Sequence, residues 1–239
     1  MRVDDPTYVE RQYASEHNLA ARKSFYDEVD GDDAREIAFE AVREADPRGV
    51  LEVGCGEGEL AARIQSEIGV LVTALDQSAR MVELASARGV DARVGDVQAL
   101  PFDDVSFDVA VAAWVLFHVR ELEQGIAELA RVLRPGGRLV AVTNYADHLY
   151  EMFELASAGE QRFELTFGGE NGAEVLGPYF ARVERRDANG TVTVRDADAI
   201  RAYLRSADRL APFADRVPEL VEPVVVRRRQ AVFVAEKAS

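Results

Sequence analysis

The segment VLEVGCGEGEL, residues 50–60, constrains this chain more than any other. A short strand-like run, Val50 to Val53, leads into Gly54-Cys55-Gly56-Glu57-Gly58, and an amphipathic helical pattern follows. Glycines at alternate positions let the backbone turn sharply and approach a ligand closely, while the helix start offers unpaired N–H groups. The order strand, glycine turn, helix predicts a nucleotide-type binding turn. A dinucleotide site has the spacing G-x-G-x-x-G, but Glu59 stands where its last glycine is required, and Glu57 sits badly against a pyrophosphate. The pattern, preceded by Glu52, fits better a ligand without phosphates that carries positive charge.

The surrounding sequence supplies the rest of an α/β frame. Strands are predicted over 50–53, 71–75, 92–94, 109–113 and 138–143, and helices over 59–68, 79–87 and 121–133, with Arg134-Pro135-Gly136-Gly137 breaking the last helix before a strand. Alternation of this kind signals a parallel sheet covered by helices, with ligands outside the carboxyl ends of the strands. Residues 1–46 look helical and acidic, with 13 acids against 6 bases, the aromatics Tyr8, Tyr13, Phe25 and Tyr26 and a polar turn, DGDD, at 30–33. Residues 146–239 mix helices with two or three late strands.

Five motifs in order resemble those of class I S-adenosylmethionine-dependent methyltransferases of the broad type 11 group. They are the turn at 50–58, Asp76 in TALDQSARM, Gly95-Asp96-Val97, FDVAVAAWVLFHV at 107–119 and LRPGG at 133–137. The resemblance covers about 100 residues and implies a Rossmann-like, seven-stranded, mostly parallel sheet with helices on both faces. Its last strand is antiparallel, inserted between the fifth and sixth, and an N-terminal helical lid at 1–46 precedes the methyltransferase domain at 47–239. The cofactor implied is S-adenosylmethionine. Gly54, Cys55, Gly56 and Gly58 form its turn, Asp76 binds the ribose hydroxyls with Gln77 beside it, Asp96 and the N–H of Val97 recognise adenine, Met81 and Leu100 border it, and Ala113 belongs to the same cofactor-binding set. Tyr13 and Arg22, in a stretch resembling the helix that closes over the cofactor, complete the set, with Arg22 opposite the methionyl carboxylate. The competing assignments are an Asx turn at Asp96, core packing for Met81, a solvated face for Arg22 and a small loop filler for Cys55.

The acceptor side is read from the loops after the fourth and fifth strands. His118 is the titratable candidate for a general base, against a structural histidine capping the next helix. Trp114, Asn144, Tyr145 and His148 are candidate acceptor contacts; Phe153, Phe163 and Phe167 offer apolar walls or core, and residues 146–178 form the segment expected to vary with the acceptor. The function implied is methyl transfer to a small molecule by in-line displacement. An RNA methyltransferase, a non-catalytic S-adenosylmethionine-binding protein and, less in keeping with the glycine spacing, a nicotinamide-dependent oxidoreductase stand as alternatives.

Composition narrows the partners. With 43 acids against 28 bases the formal net charge is −15, which argues against a nucleic acid held by phosphate neutralisation, the densest basic run being Arg227-Arg228-Arg229. The single cysteine, Cys55, excludes an intramolecular disulfide, and histidines at 17, 118 and 148 show no metal-ligand spacing. MRVDDPTYVERQY lacks the apolar run of a signal peptide and no stretch approaches the roughly 18 apolar residues of a membrane span, so the expected location is cytoplasmic. Only Lys23 and Lys237 among the 28 bases are lysine. Arginine-favouring codons account for that bias but not for the acidic surplus, which fits a surface adapted to high salt. On that view thermal stability rises between low and molar salt; a flat or falling melting temperature across a salt series excludes it.

Overall fold

The computed structural model describes residues 22, 24–26, 29–157 and 165–239. Among them eight strands form one sheet: β1 (Val29–Gly31), β2 (Gly49–Val53), β3 (Leu71–Asp76), β4 (Asp91–Val94), β5 (Phe107–Ala113), β6 (Leu133–Asn144), β7 (Arg182–Val194) and β8 (Val224–Glu236). Their order is β1-β7-β8-β6-β5-β2-β3-β4. The pairs β2·β3, β2·β5, β3·β4 and β5·β6 are parallel, and β8 runs antiparallel between β6 and β7. The Rossmann-like sheet and the inserted last strand are therefore as expected. The eighth strand, β1, falls in the stretch read as helical. Gly31 holds φ at +93°, and β1 pairs antiparallel with Gly190 to Val192 of β7, a contact so distant in sequence that no local pattern announces it.

Helices α1 (Ala34–Glu44), α2 (Glu59–Ile68), α3 (Ala79–Ala87), α4 (Leu122–Val132), α5 (Tyr150–Leu155), α6 (Gly172–Leu176) and α7 (Ala197–Arg205) surround the sheet. The period-2 alternation of the strands sorts their side chains between two cores. Leu51, Val53, Ala110 and Leu139 meet Ile126 and Leu129 of α4 on one face. Val50, Val109, Val111 and Val140 meet Ala38, Phe39 and Val42 of α1 and Ile64 of α2 on the other. Helix α1 is thus a core helix of the sheet. It is started by Asp33, whose carboxylate accepts from the N–H of Arg35, and it buries Ala34, Ala38, Phe39, Ala41 and Val42 along one stripe. Residues 1–21, which carry most of the expected lid, lie outside the described residues.

LRPGG does not separate helix from strand as expected. Helix α4 ends at Val132, and Arg134-Pro135-Gly136-Gly137 is a bulge within β6, the register stepping from Phe107 opposite Leu133 to Val109 opposite Arg138. Phe167 is buried in the α4-side core. Phe153 belongs to a third core, formed by α5, α7, Phe25 and the ends of β7 and β8. Both are packing residues, and Phe163 lies outside the described residues.

The third core contains a locked histidine. His148 is buried, its Nδ1 accepts from the N–H of Arg229 at 3.1 Å, and its Nε2 lies 3.1 Å from the Tyr26 hydroxyl. Since Nδ1 accepts, the proton sits on Nε2 and is donated to Tyr26. Burial pushes the His148 pKa down to about 3, so the folded protein holds a neutral imidazole. That contribution is fully present above the unfolded value near 6.5 and is lost as pH falls toward 3. Denaturant titrations between pH 7 and pH 4 should show His148→Gln losing about 2 kcal/mol less than the parent; equal losses contradict the neutral assignment.

Candidate active site

The carboxyl ends of β2, β3 and β5 open into a cavity of about 410 Å³ whose wall includes Gly54, Cys55, Gly56, Asp76, Gln77, Gly95, Val97, Ala113, Trp114 and His118. The glycine turn builds its floor. Gly54, Gly56 and Gly58 all have positive φ, at +64°, +53° and +72°. The three positions differ in what surrounds them. A Cβ at Gly54 would stand 2.5 Å from Val115, and one at Gly58 would stand 2.7 Å from Ala85 of α3, whereas at Gly56 nothing lies within 4 Å. Two glycines therefore permit close packing, and the third keeps the cradle open.

Asp76 closes β3 and ties the turn down. Its Oδ2 accepts from the N–H of Gly56 and its Oδ1 from the N–H of Ser78, both at 2.9 Å. Each oxygen keeps acceptor capacity for a hydroxyl from the cavity. Burial raises the Asp76 pKa, opposed by the N–H groups of Ser78, Gly56 and Gln77. Cys55 is buried beside it, and burial, with Glu52 and Asp76 nearby, pushes its thiol far up, which suits a loop filler and not a nucleophile.

Other expected residues stand elsewhere. Asp96 is outside the cavity wall and forms an Asx turn: Oδ1 accepts from the N–H of Gln98 at 2.9 Å, and the Gln98 amide donates to both oxygens. Its neighbours Gly95 and Val97 do line the cavity. Met81 is fully buried core at the start of α3. Arg22 donates to the hydroxyl and carbonyl of Ser206 at the end of α7, at 3.1 and 2.8 Å, and is not part of the wall. Tyr145 is buried, donates to Asp187 at 2.6 Å and lies under the Arg229 guanidinium. Asn144 accepts from the Trp114 indole N–H and from Gln230, both at 3.1 Å. Asn144, Tyr145 and His148 thus lie behind the wall, with Asn144 holding Trp114. Tyr13 is outside the described residues.

Three charged wall residues, Glu52, Arg35 and Arg63, are among those that had no assigned role in the sequence. Glu52 is buried on β2, facing α1 and α2, and its Oε2 has no hydrogen-bond partner. Burial, with Asp76 adding to it, raises its pKa to about 8. An acid inside an otherwise apolar buried strand was the available signal. Arg35 and Arg63 reach the wall from α1 and α2. Arg63 is held by Glu36 and Glu67 over the Phe39 ring, whereas no ion pair among the described residues engages Arg35, whose guanidinium stands 5.7 Å from the Trp114 ring centre. Nothing local marks Arg35, because the packing of α1 places it.

Glu52, Glu57, Glu59 and Asp76 against two arginines make an acidic wall around an open glycine turn. The donor set fits S-adenosylmethionine: a carboxylate for the ribose, room over Gly56, acids for a cation and Arg35 for a carboxylate. Among the described residues no group of His, Cys, Asp and Glu could hold a metal, and no helix is long and apolar enough to cross a membrane. The turn yields a stability prediction. Gly58→Ala should cost about 2–4 kcal/mol, combining left-handed strain with overpacking, and Gly56→Ala about 1–2 kcal/mol from strain alone; equal urea-unfolding losses would contradict the assignment of close packing to Gly58.

Comparison with known proteins agrees with this geometry. Residues 51–141 match a family model described as a methyltransferase domain. Over 98 residues the chain is 43% identical to 27-O-demethylrifamycin SV methyltransferase of Amycolatopsis mediterranei, a match covering 38% of this chain and 36% of that protein. The chain spans between 36% and 62% of the length of the curated relatives it matches. The fold resembles the YcgJ protein of Bacillus subtilis, with a TM-score of 0.62 at 17% identity over 85% of this chain and 99% of that one. It also resembles a Haemonchus contortus phosphoethanolamine N-methyltransferase solved with S-adenosylhomocysteine, with a TM-score of 0.64 at 16% identity over 100% of this chain and 61% of that one. Residues 51–141 of this chain are thus similar to a methyltransferase domain, set in a fold shared with these solved structures.

Proposed function

We propose that the protein transfers a methyl group from S-adenosylmethionine to a small-molecule acceptor by in-line displacement. The observation that carries this reading is the acidic, open cradle around Gly56, which suits a cationic nucleoside and would repel a pyrophosphate. S-adenosylmethionine supplies a methyl group already activated by its sulfonium. Asp76 accepts the ribose hydroxyls, Gly95 and Val97 border the adenine, and Arg35 takes the carboxylate role expected of Arg22. Trp114 and His118, both on the cavity wall after β5, face the acceptor. Their task is to align its nucleophilic atom with the methyl group and exclude water, with His118 receiving a proton where the acceptor must lose one. Asn144, which holds Trp114, and the segment 146–178 that follows it contribute to acceptor choice. The net charge of −15 supports a small acceptor over RNA.

Trp114 is the single tryptophan of the chain, so its emission reports on the cavity directly. Titration with S-adenosylhomocysteine should change that emission. Asp76→Ala should weaken binding by about tenfold or more and Arg35→Ala several-fold, while Arg22→Ala leaves it within about twofold. Methyl-labelled cofactor incubated with a metabolite extract should label a small molecule. Label in bulk tRNA would replace this reading with an RNA methyltransferase, and tight cofactor binding with no label in either pool would favour a non-catalytic cofactor-binding protein.

A further inference from the structure

The basic run Arg227-Arg228-Arg229 on β8 divides by partner. Arg227 pairs with Glu151 and Arg229 with Asp147, whereas no ion pair among the described residues engages Arg228. Yet Arg228 is the buried one of the three, at 6% exposure. Its guanidinium donates to the carbonyl of Asp32, and its Nε has no hydrogen-bond partner. The titratable groups close enough to feel its charge are Tyr26 and His148, and burial keeps both neutral. Nearby carboxylates are spent elsewhere: Asp32 accepts from the N–H of Asn189, and Asp147 holds Arg229. A guanidinium does not escape burial by losing its proton, so this charge stands without a counter-charge, an arrangement that costs several kcal/mol. Its position links it to the acceptor side of the cavity. Arg228 lies two residues past the last pair of β6 with β8, Asn144 opposite Gln230, and so stands beyond the edge of the sheet on which the cavity opens. Gln230, on the same face of β8, donates to Asn144, which holds the Trp114 indole of the wall. Asp32 directly precedes Asp33, the cap of α1, and the first turn of that helix sends Arg35 to the wall beside Trp114.

We propose that Arg228 determines acceptor specificity: the small molecule that receives the methyl group carries a carboxylate, which Arg228 takes beyond Trp114 while the atom to be methylated faces the cofactor. The free Nε–H donates to the carboxylate, and the bond to the Asp32 carbonyl fixes the plane of the guanidinium before the ligand arrives. A planar carboxylate matches that edge, and a side chain already held in place loses little freedom on binding. Charge also fixes the orientation of the ligand. Glu52, Glu57, Glu59 and Asp76 stand on the β2 and β3 side of the cavity, and Arg228 stands on the β8 side, across β5 and β6. An anionic acceptor is repelled at the first end and held at the second, so its uncharged end is the one presented to the methyl group. The carboxylate is a handle and not the reacting group, and it leaves with the product unchanged. The inference rests on the methyl-transfer reading above and names the acceptor class for it.

The test incubates the full chain and methyl-labelled cofactor with a metabolite extract divided by anion exchange into retained and unretained pools. Label should appear in the retained pool, survive phosphatase treatment of that pool, and vanish when its carboxyls are first amidated with carbodiimide and ammonia. These arms need no variant. Arg228→Gln should raise the apparent KM for the retained pool about tenfold or more, while S-adenosylhomocysteine affinity, read from Trp114 emission, stays within about twofold. Arg228→Lys should recover part of the loss. Acceptor KM moving alone separates a contact with the acceptor from damage to the fold. Label confined to the unretained pool, label that survives amidation, or an Arg228→Gln chain with the parent's KM overturns the proposal while methyl transfer stands. So does label lost to phosphatase, which identifies a phosphate, or released as methanol by mild base, which identifies the carboxyl itself as the methylated group. No label in any pool, with S-adenosylhomocysteine bound, overturns both readings.

Discussion

The hydrogen bond from the Gly56 N–H to Asp76 joins the loop after one strand to the end of the next. Because β2 and β3 are parallel and in register from Gly49 opposite Leu71 to Val53 opposite Leu75, both loops leave the sheet at the same edge. The N–H of Cys55 bonds to the carbonyl of Leu75, so two successive amides of the turn are pinned to β3. A turn held in this way can keep three residues in left-handed backbone geometry without depending on a ligand to order it. The cavity is then pre-formed, its shape set by the sheet before any ligand enters.

The electrostatics of this space run against the usual use of such a turn. Glycine loops that cradle phosphates collect positive charge, whereas this one is ringed by Glu52, Glu57, Glu59 and Asp76. Most of the net charge of −15 lies on the surface, but these acids belong to the site, and Glu52 is buried where an unneeded carboxyl would be replaced at little cost. Arg35 and Arg63 line the same cavity, so its wall carries both signs of charge.

What the sequence revealed and what it hid divide along the range of the interactions. The turn, the spans of α2 and α3, and Asp76 at the end of β3 were legible because local spacing dictates them. The positions of β1, Arg35 and His148 depend on contacts with β7, Trp114 and Arg229, which lie far away along the chain. The same limit explains why Arg22 was expected at the cofactor. The chemistry demands a cation for a carboxylate, but which arginine reaches the cavity is decided by the packing of α1 on the sheet. Asn144, Tyr145 and His148 follow β6 and were assigned to the crevice on that ground. In the fold each is spent on a neighbour: β8 beside β6 supplies Gln230 to Asn144 and the backbone N–H of Arg229 to His148, and Asp187 of β7 accepts from Tyr145.

That last arrangement bears on how the acceptor is recognised. Trp114 holds φ at +55°, an uncommon conformation for a bulky residue, and its N–H is fixed by Asn144, which Gln230 of β8 fixes in turn. The indole therefore cannot adjust freely to whatever enters. Its placement is inherited from the pairing of β6 with β8, a pair whose ends carry the segment after Asn144 and the third core around Phe153 and Leu204. The glycine turn and Asp76 are built on β2 and β3, whereas Trp114 is positioned by the other half of the sheet. Changes in the segment beyond Asn144 can thus move Trp114 without disturbing the Asp76–Gly56 bond, because different halves of the sheet position the two sides of the cavity.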